Sequence, residues 1–244
     1  MKKEADINVS AILVAGGSSI RMGFDKTFAK LGERSVIEHS IQAFLKCSLI
    51  KNLVIVINEN TAPQLRDLVN KIKTNTEIKI VSGGTTRKNS VANGLNEINQ
   101  NCDFVAIHDG ARPWINPLQI IKVLEQAEKF GAAASGRPVT DTIKKCDNNA
   151  IVTGSISREG LWAMETPQIF SRDIITKAYS EILKEGIDVT DEVSAVMHYG
   201  KPIKIVHNEW ANPKVTFPED LKIRPPSYDA VSYTHLTLPT ILLV

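Results

Sequence analysis

The sequence predicts a layered α/β domain, a mostly parallel sheet with helices on its faces. Short apolar runs of strand length alternate with segments of helical periodicity, the pattern of β-α-β units joined by right-handed crossovers. The first run, Val9 to Ala15, reads as a strand covered on both faces and opens directly into Gly16-Gly17. At 244 residues, 43% of them apolar, the chain buries about 70% of its unfolded surface, enough for a core without disulfides or metals.

The elements follow in order. After the first strand, Ile37, Ile41, Phe44 and Leu45 repeat at helical spacing. Leu53 to Ile57 is a second strand, Leu65 and Leu68 mark a short helix, and Ile78 to Val81 is a third strand. Val91, Leu95 and Ile98 mark the next helix and Phe104 to Ile107 the next strand. Asn116-Pro117 is an N-cap followed by proline at the first helical position, opening a helix through Ile120, Ile121 and Leu124. Ile174, Ile175, Ala178, Tyr179 and Ile182 form a helix capped by Ser171. Val193, Val196 and Met197 form another, with Thr190 as its cap and Asp191 and Glu192 in its first turn. Ile203 to Val206 is a late strand.

The rhythm breaks after Gly136. Thr142 to Lys145, the turn-like Asp147-Asn148-Asn149 and Ala150 to Ser155 alternate as a hairpin, an arm spanning about 138–158. Such a hairpin has too little apolar surface to stand alone, so it packs on the parent domain or on a second subunit. The expected organisation is one domain over 1–227. Residues 228–244 carry no charge after Asp229 and no amphipathic register, and read as a non-native tail without functional weight.

Composition excludes several classes. The 29 basic and 27 acidic residues form no long basic run, so nucleic acid is not an expected partner, whereas a small phosphorylated ligand held by a few placed cations is. No stretch approaches a membrane span. The three cysteines lie far apart, which suits a reducing cytoplasm and neither a disulfide framework nor a zinc site.

Three strand-to-helix loops carry the chemical signals. Ala15-Gly16-Gly17 through Arg21, with Lys26 behind, lets backbone N–H groups approach a phosphate chain that two cations neutralise. Its spacing matches neither a Walker loop nor the dinucleotide G-x-G-x-x-G, and an ordinary turn with two surface cations is the other reading. His108-Asp109-Gly110-Ala111-Arg112-Pro113 ends another strand, at the edge where open α/β sheets bind ligands. Asp109 there suits a divalent ion or a substrate hydroxyl, and Arg112 a phosphate contact or a loop lock; a structural Asp–Arg pair is the plain alternative. His108 reads as a packed loop histidine. The third loop, Gly83 to Ser90, is rich in small donors suited to a base or ribose edge, although most such loops only cap helices. No nucleophile elbow, Cys–His signature or zinc helix is visible, which favours a reaction whose nucleophile is already an anion on the substrate.

Taken in order, Ala15 to Met22 with Lys26, His108 to Pro113, Thr140 to Lys144, Glu165-Thr166-Pro167-Gln168, Thr190-Asp191-Glu192 and Lys214-Val215-Thr216 resemble the 2-C-methyl-D-erythritol 4-phosphate cytidylyltransferases over about residues 8–222. The resemblance implies a nucleotidyltransferase-type, Rossmann-like sheet with the inserted hairpin as a dimerisation arm. It implies transfer of CMP from CTP to the methylerythritol phosphate, in isoprenoid precursor synthesis, with Mg²⁺ bridging the CTP phosphates. Arg21, Lys26 and Lys214 would be catalytic. Ala15, Gly16, Gly17, Gly83 and Ser90 would hold the nucleotide. Asp109, Arg112, Thr142, Arg158, Thr166 and Thr190 would hold the acceptor, with Thr142 and Arg158 reaching into the neighbouring subunit of a homodimer. Ser19 stands where the family usually has Gly, and Thr85 where it often has Asp. A sister ribitol-5-phosphate cytidylyltransferase and a CTP-binding homologue without catalysis are the competing expectations.

Overall fold

The protein is described from a computed structural model, which defines residues 7–17 and 23–223. Arg21 and the expected tail 228–244 lie outside the described residues. Among the described residues eleven strands and six helices follow in order: β1 (Val9–Val14), β2 (Lys30–Leu31), β3 (Arg34–Ser35), α1 (Val36–Leu45), β4 (Ile50–Ile57), α2 (Ala62–Val69), β5 (Glu77–Ser82), α3 (Arg87–Glu97), β6 (Phe104–Asp109), α4 (Pro117–Phe130), β7 (Ala132–Pro138), β8 (Ile143–Cys146), β9 (Val152–Ile156), β10 (Trp162–Ser171), α5 (Arg172–Glu185), α6 (Glu192–His198) and β11 (Lys204–His207).

Seven strands form one sheet in the order β11-β7-β10-β6-β1-β4-β5. Alternate side chains of β1 enter opposite cores, because successive residues of a strand point to opposite faces. Val9, Ala11 and Leu13 pack with α1, α2 and α4 through Ile37, Ile41, Phe44, Leu65 and Ile120. Ile12 packs on the other face with α3, α5 and α6 through Val91, Leu95, Ile175, Ile182 and Val196. The result is the expected three-layer α/β arrangement.

Local signals set the helix ends. The Asn116 side chain accepts from Leu118 N at 2.9 Å, Pro117 follows it, and Gly131 at φ +79° closes α4. α3 lies close against the sheet because it carries glycine at 94: a Cβ there would come within 2.8 Å of Ile12 Cγ2 and 3.0 Å of Val56 Cγ2. The cap of α6 is Asp191, whose side chain accepts from Ser194 N at 3.0 Å, and not Thr190, which stands one residue outside. Ser171 occupies the N-cap position of α5 without a capping side-chain hydrogen bond.

The sheet is less uniformly parallel than the sequence pattern suggests. β10 runs antiparallel between β6 and β7, and neither β7 nor β10 was expected. β7 begins with three alanines, poor strand formers, and β10 contains buried Glu165, Thr166 and Gln168 around Pro167. Its pairing with β7 is irregular between Met164 and Gln168, which is where a strand tolerates proline.

The excursion between β7 and β10 holds the hairpin. β8 and β9 pair only with each other, and the Asp147 carboxylate closes their turn by accepting from Asn149 N and Ile151 N, both at 2.9 Å. Ile151 and Val152 are 61% and 59% exposed, so within one chain this arm leaves apolar side chains uncovered.

Candidate active site

The carboxyl ends of β1, β4 and β6 open onto a cleft of about 470 Å³. Its wall includes Ala15, Gly16, Gly17 and Lys26 from the first loop, Gly84, Arg87 and Ser90 from the third, and Asp109 and Lys214. The strand-end position follows from the topology, since β1 and β6 are parallel neighbours and their following loops emerge at one edge. A wider groove of about 770 Å³ lies between α1, α2 and the β2–β3 hairpin. It shares no lining residue with this cleft.

The first loop and the third approach each other closely. Ser90 Oγ accepts from Gly84 N at 3.0 Å and donates to Thr86 O at 2.9 Å, tying the third loop to the first turn of α3. Gly84 is the sterically required glycine, because a Cβ there would fall 2.4 Å from Asn89 Cβ. Gly83 lies against Gly16, with 3.5 Å from its virtual Cβ to Gly16 Cα. Among the described residues beyond its chain neighbours, none comes within 4 Å of a Cβ built on Gly17, which lines the cleft. Lys26 Nζ donates to Val215 O at 2.9 Å, joining this loop to the last segment of the domain.

Asp109 is the electrostatic centre. Lys214 Nζ donates to its Oδ2 at 2.8 Å, Arg87 Nε and Nη2 both reach Oδ1 at 3.3 Å, and Arg112 Nε lies 3.6 Å from Oδ2. Burial alone would raise the pKa of this carboxyl. Arg87, Lys214 and Arg112 outweigh it and hold the group well below the ordinary carboxylate range. Arg87 in turn donates from Nη1 to Glu192 Oε1 at 2.6 Å and from Nη2 to Oε2 at 2.9 Å, and Tyr179 Oη donates to Glu192 Oε1 at 3.0 Å. Burial would lower the Arg87 pKa, but Glu192 and Asp109 raise it, so the guanidinium stays charged.

Behind Asp109 runs a buried chain of hydrogen bonds. Its backbone N–H donates to Thr166 Oγ1 at 3.0 Å, and Thr166 Oγ1 lies 2.9 Å from His108 Nδ1. His108 Nε2 is 3.2 Å from Arg112 O. A carbonyl only accepts, so Nε2 carries a proton; burial favours the neutral ring, in which the Thr166 hydroxyl donates to Nδ1. Burial pushes the His108 pKa down to about 4. His108 is thus packed as expected, although in the strand and not in the loop. Because the folded pKa lies below the unfolded value, stability is complete above pH 6.5 and is lost as pH falls from 6.5 toward 4. The loss amounts to roughly 3 kcal/mol from a shift of that size. Denaturant midpoints measured at pH 7.5 and 4.5 should show it in the native chain and not in His108→Gln.

Of the residues singled out in sequence, Ala15, Gly16, Gly17, Lys26, Ser90, Asp109 and Lys214 line one cleft, with Gly83 adjoining. Arg112 and Thr166 stand behind it: Arg112 Nη1 donates to Asn212 O at 2.8 Å, locking the loop, and Thr166 is buried. Thr142 and Arg158 are exposed on the arm, and the Arg158 guanidinium caps Thr140 O. Thr190 is exposed, with its hydroxyl 3.4 Å from Ser194 Oγ. Sequence reasoning assigned no site role to Arg87 and gave its partner Glu192 only a place in the first turn of a helix. The available signal was a second acid after Asp191, more than one helix cap requires.

Comparison with solved structures points in one direction. A 4-diphosphocytidyl-2C-methyl-D-erythritol synthase from Anaerococcus prevotii superposes with TM-score 0.78 at 27% identity, covering 88% of this chain and 95% of that one. A 2-C-methyl-D-erythritol 4-phosphate cytidylyltransferase from Thermus thermophilus gives 0.72 at 26% identity over 88% and 96% of the two chains. The fold is that of a nucleotidyltransferase. Among curated relatives, 2-C-methyl-D-erythritol 4-phosphate cytidylyltransferases from Caldanaerobacter subterraneus and Dehalococcoides mccartyi are each 38% identical. They cover 89% and 87% of this chain and 97% and 92% of their own. The profile of the family described as IspD, 2-C-methyl-D-erythritol 4-phosphate cytidylyltransferase, matches residues 9–225, and the chain belongs to that family.

Proposed function

We propose that this cleft transfers CMP from CTP to 2-C-methyl-D-erythritol 4-phosphate, releasing pyrophosphate and forming the CDP-alcohol, a step of isoprenoid precursor synthesis. The observation that carries the reading is Asp109 fixed by Lys214 and Arg87 in the cleft that the Gly16-Gly17 loop also lines. An acceptor alcohol held at Asp109 and a triphosphate on the loop would then meet in one cleft.

In this reading a phosphate oxygen of the acceptor attacks the α-phosphorus of CTP in line. The new P–O bond forms as the bond from the α-phosphorus to the bridging oxygen breaks, and that electron pair leaves on pyrophosphate. Lys26 and Lys214, with Arg21, offset the charge growing on the phosphoryl oxygens. Gly83 and Ser90 hold the cytidine side, and Thr190 completes the acceptor side. Arg112 and Thr166 act from behind by fixing the Asp109 loop.

Among the described residues the only carboxylate lining the cleft is Asp109, and both its oxygens already accept from cations. This donor set does not suit a resident divalent ion, but it suits Mg²⁺ brought in on the triphosphate, the way that ion commonly meets phosphotransfer sites. The ion would supply charge neutralisation on the phosphates. The arm, with its exposed Ile151 and Val152, supports a homodimer in which Thr142 and Arg158 enter the neighbouring site. A cytoplasmic setting agrees with the free cysteines; among the described residues no helix is long and apolar enough to cross a membrane.

Pyrophosphate release from CTP and Mg²⁺ tests the reading, with methylerythritol 4-phosphate and ribitol 5-phosphate assayed side by side. Release with the former alone is expected. Release only with ribitol phosphate would move the chain to the sister activity, and CTP binding without release would make it a nucleotide-binding homologue.

A further inference from the structure

Glu192 is fully buried, yet it carries a charge into the core at the start of α6. Burying an ion pair is costly, and well-packed apolar residues often serve stability as well or better. The packing of α6 does not need this charge, because Ala195 and Val196 already fill the apolar core beside Tyr179 and Ile182. Its geometry is that of a clamp. Two near-parallel hydrogen bonds of 2.6 and 2.9 Å join its carboxylate to Arg87, a bidentate match that fixes the plane of the guanidinium.

The remaining edge of Arg87 faces Asp109 at a longer 3.3 Å from both Nε and Nη2. Arg87 is therefore anchored on Glu192 and leans on Asp109, not the reverse. Glu192 is itself held by Tyr179 Oη, and α6 is fastened to β10 by Gln168, which accepts from Val193 N and donates to Asp191 Oδ2, both at 3.0 Å.

We propose that Glu192 is a positioning residue for the transfer reaction: through Arg87 it sets the Asp109 carboxylate, and so the seat of the acceptor alcohol. This rests on the reading of Asp109 as the acceptor contact. Lys214 holds Oδ2 from one side and Arg87 holds Oδ1 from the other, so the carboxylate plane is defined only while both cations are in place.

The test is steady-state kinetics of Glu192→Gln, which keeps the shape and removes the charge, with CTP and methylerythritol 4-phosphate varied separately. The expected result is a KM for the acceptor raised about tenfold, the scale of one misplaced charge-assisted hydrogen bond, and a KM for CTP within about twofold of native. Asp109→Asn, run in parallel, separates the two layers of the argument. If it leaves the acceptor KM unchanged, the reading of Asp109 fails. If it raises that KM while Glu192→Gln does not, the positioning role fails. In the double variant the two effects should be less than additive, and strict additivity would overturn the coupling. Equal rises in both KM values with a lowered Tm would mark Glu192 as structural only. Should Glu192→Gln not fold, Tyr179→Phe, which removes the hydroxyl holding Glu192, should shift the acceptor KM alone, by about two- to threefold.

Discussion

Lys214→Ala is expected to lower turnover by about two to three orders of magnitude, the usual cost of removing one donor aimed at charge that develops during reaction. Its ammonium lines the cleft and touches Asp109 at 2.8 Å, so the substitution acts twice. On the proposed reading it removes a cation from the reacting phosphates, and it takes from Asp109 the nearest of the three cations that hold its carboxylate. Stability should change little, because the side chain is 37% exposed and belongs to no apolar cluster. Lys214→Arg should recover only part of the rate, since a planar fork does not replace a compact point charge. Lys26→Ala should lose about a hundredfold by the same reasoning. Pyrophosphate release at saturating CTP reads all three, and turnover for Lys214→Ala within tenfold of native would remove this lysine from the reaction.

The second large effect concerns the arm. If Arg158 serves the neighbouring site, Arg158→Ala and Lys26→Ala should each be nearly inactive alone yet complement one another. In a mixed dimer both substitutions fall in one site and the other is intact. Such a dimer, co-expressed with two affinity tags and isolated, should show about half the native turnover. An arm that serves its own subunit would leave each site of the mixed dimer with one defect, and activity would stay at background.

Most of the sheet was readable because its strands announce themselves by composition. β1, β4 and β6 are rich in aliphatic residues, the loop after β1 carries the glycines and Lys26, and Asp109 ends β6. The helix through Ile120 was readable at its start, from Asn116-Pro117, whereas its end at Gly131 comes from the structure. β10 was not, because the residues that make it useful are polar: Thr166 reaches Asp109, and Gln168 reaches α6. Burial of such side chains leaves no periodic trace in a sequence. The pairing of Arg87 with Glu192 crosses 105 residues and is created only where the fold brings the first residues of α3 and α6 together. The one-residue error at Thr190 arose because Thr190 and Asp191 are both good caps, and only the backbone turn decides between them.

The segment after β11 has a consequence for the order in which the protein gains its properties. Asn212 O receives Arg112, Val215 N reaches Ala111 O, and Val215 O receives Lys26, so the segment from 212 to 215 is stitched across loops made much earlier. A nascent chain that has reached His207 already possesses every strand of the large sheet, yet it lacks Lys214 and the carbonyl that holds Lys26. On the proposed reading, folding and competence would be separated in time: a sheet formed early would enclose an inert cleft, and chemistry would wait for the segment bearing Lys214 to be drawn across it.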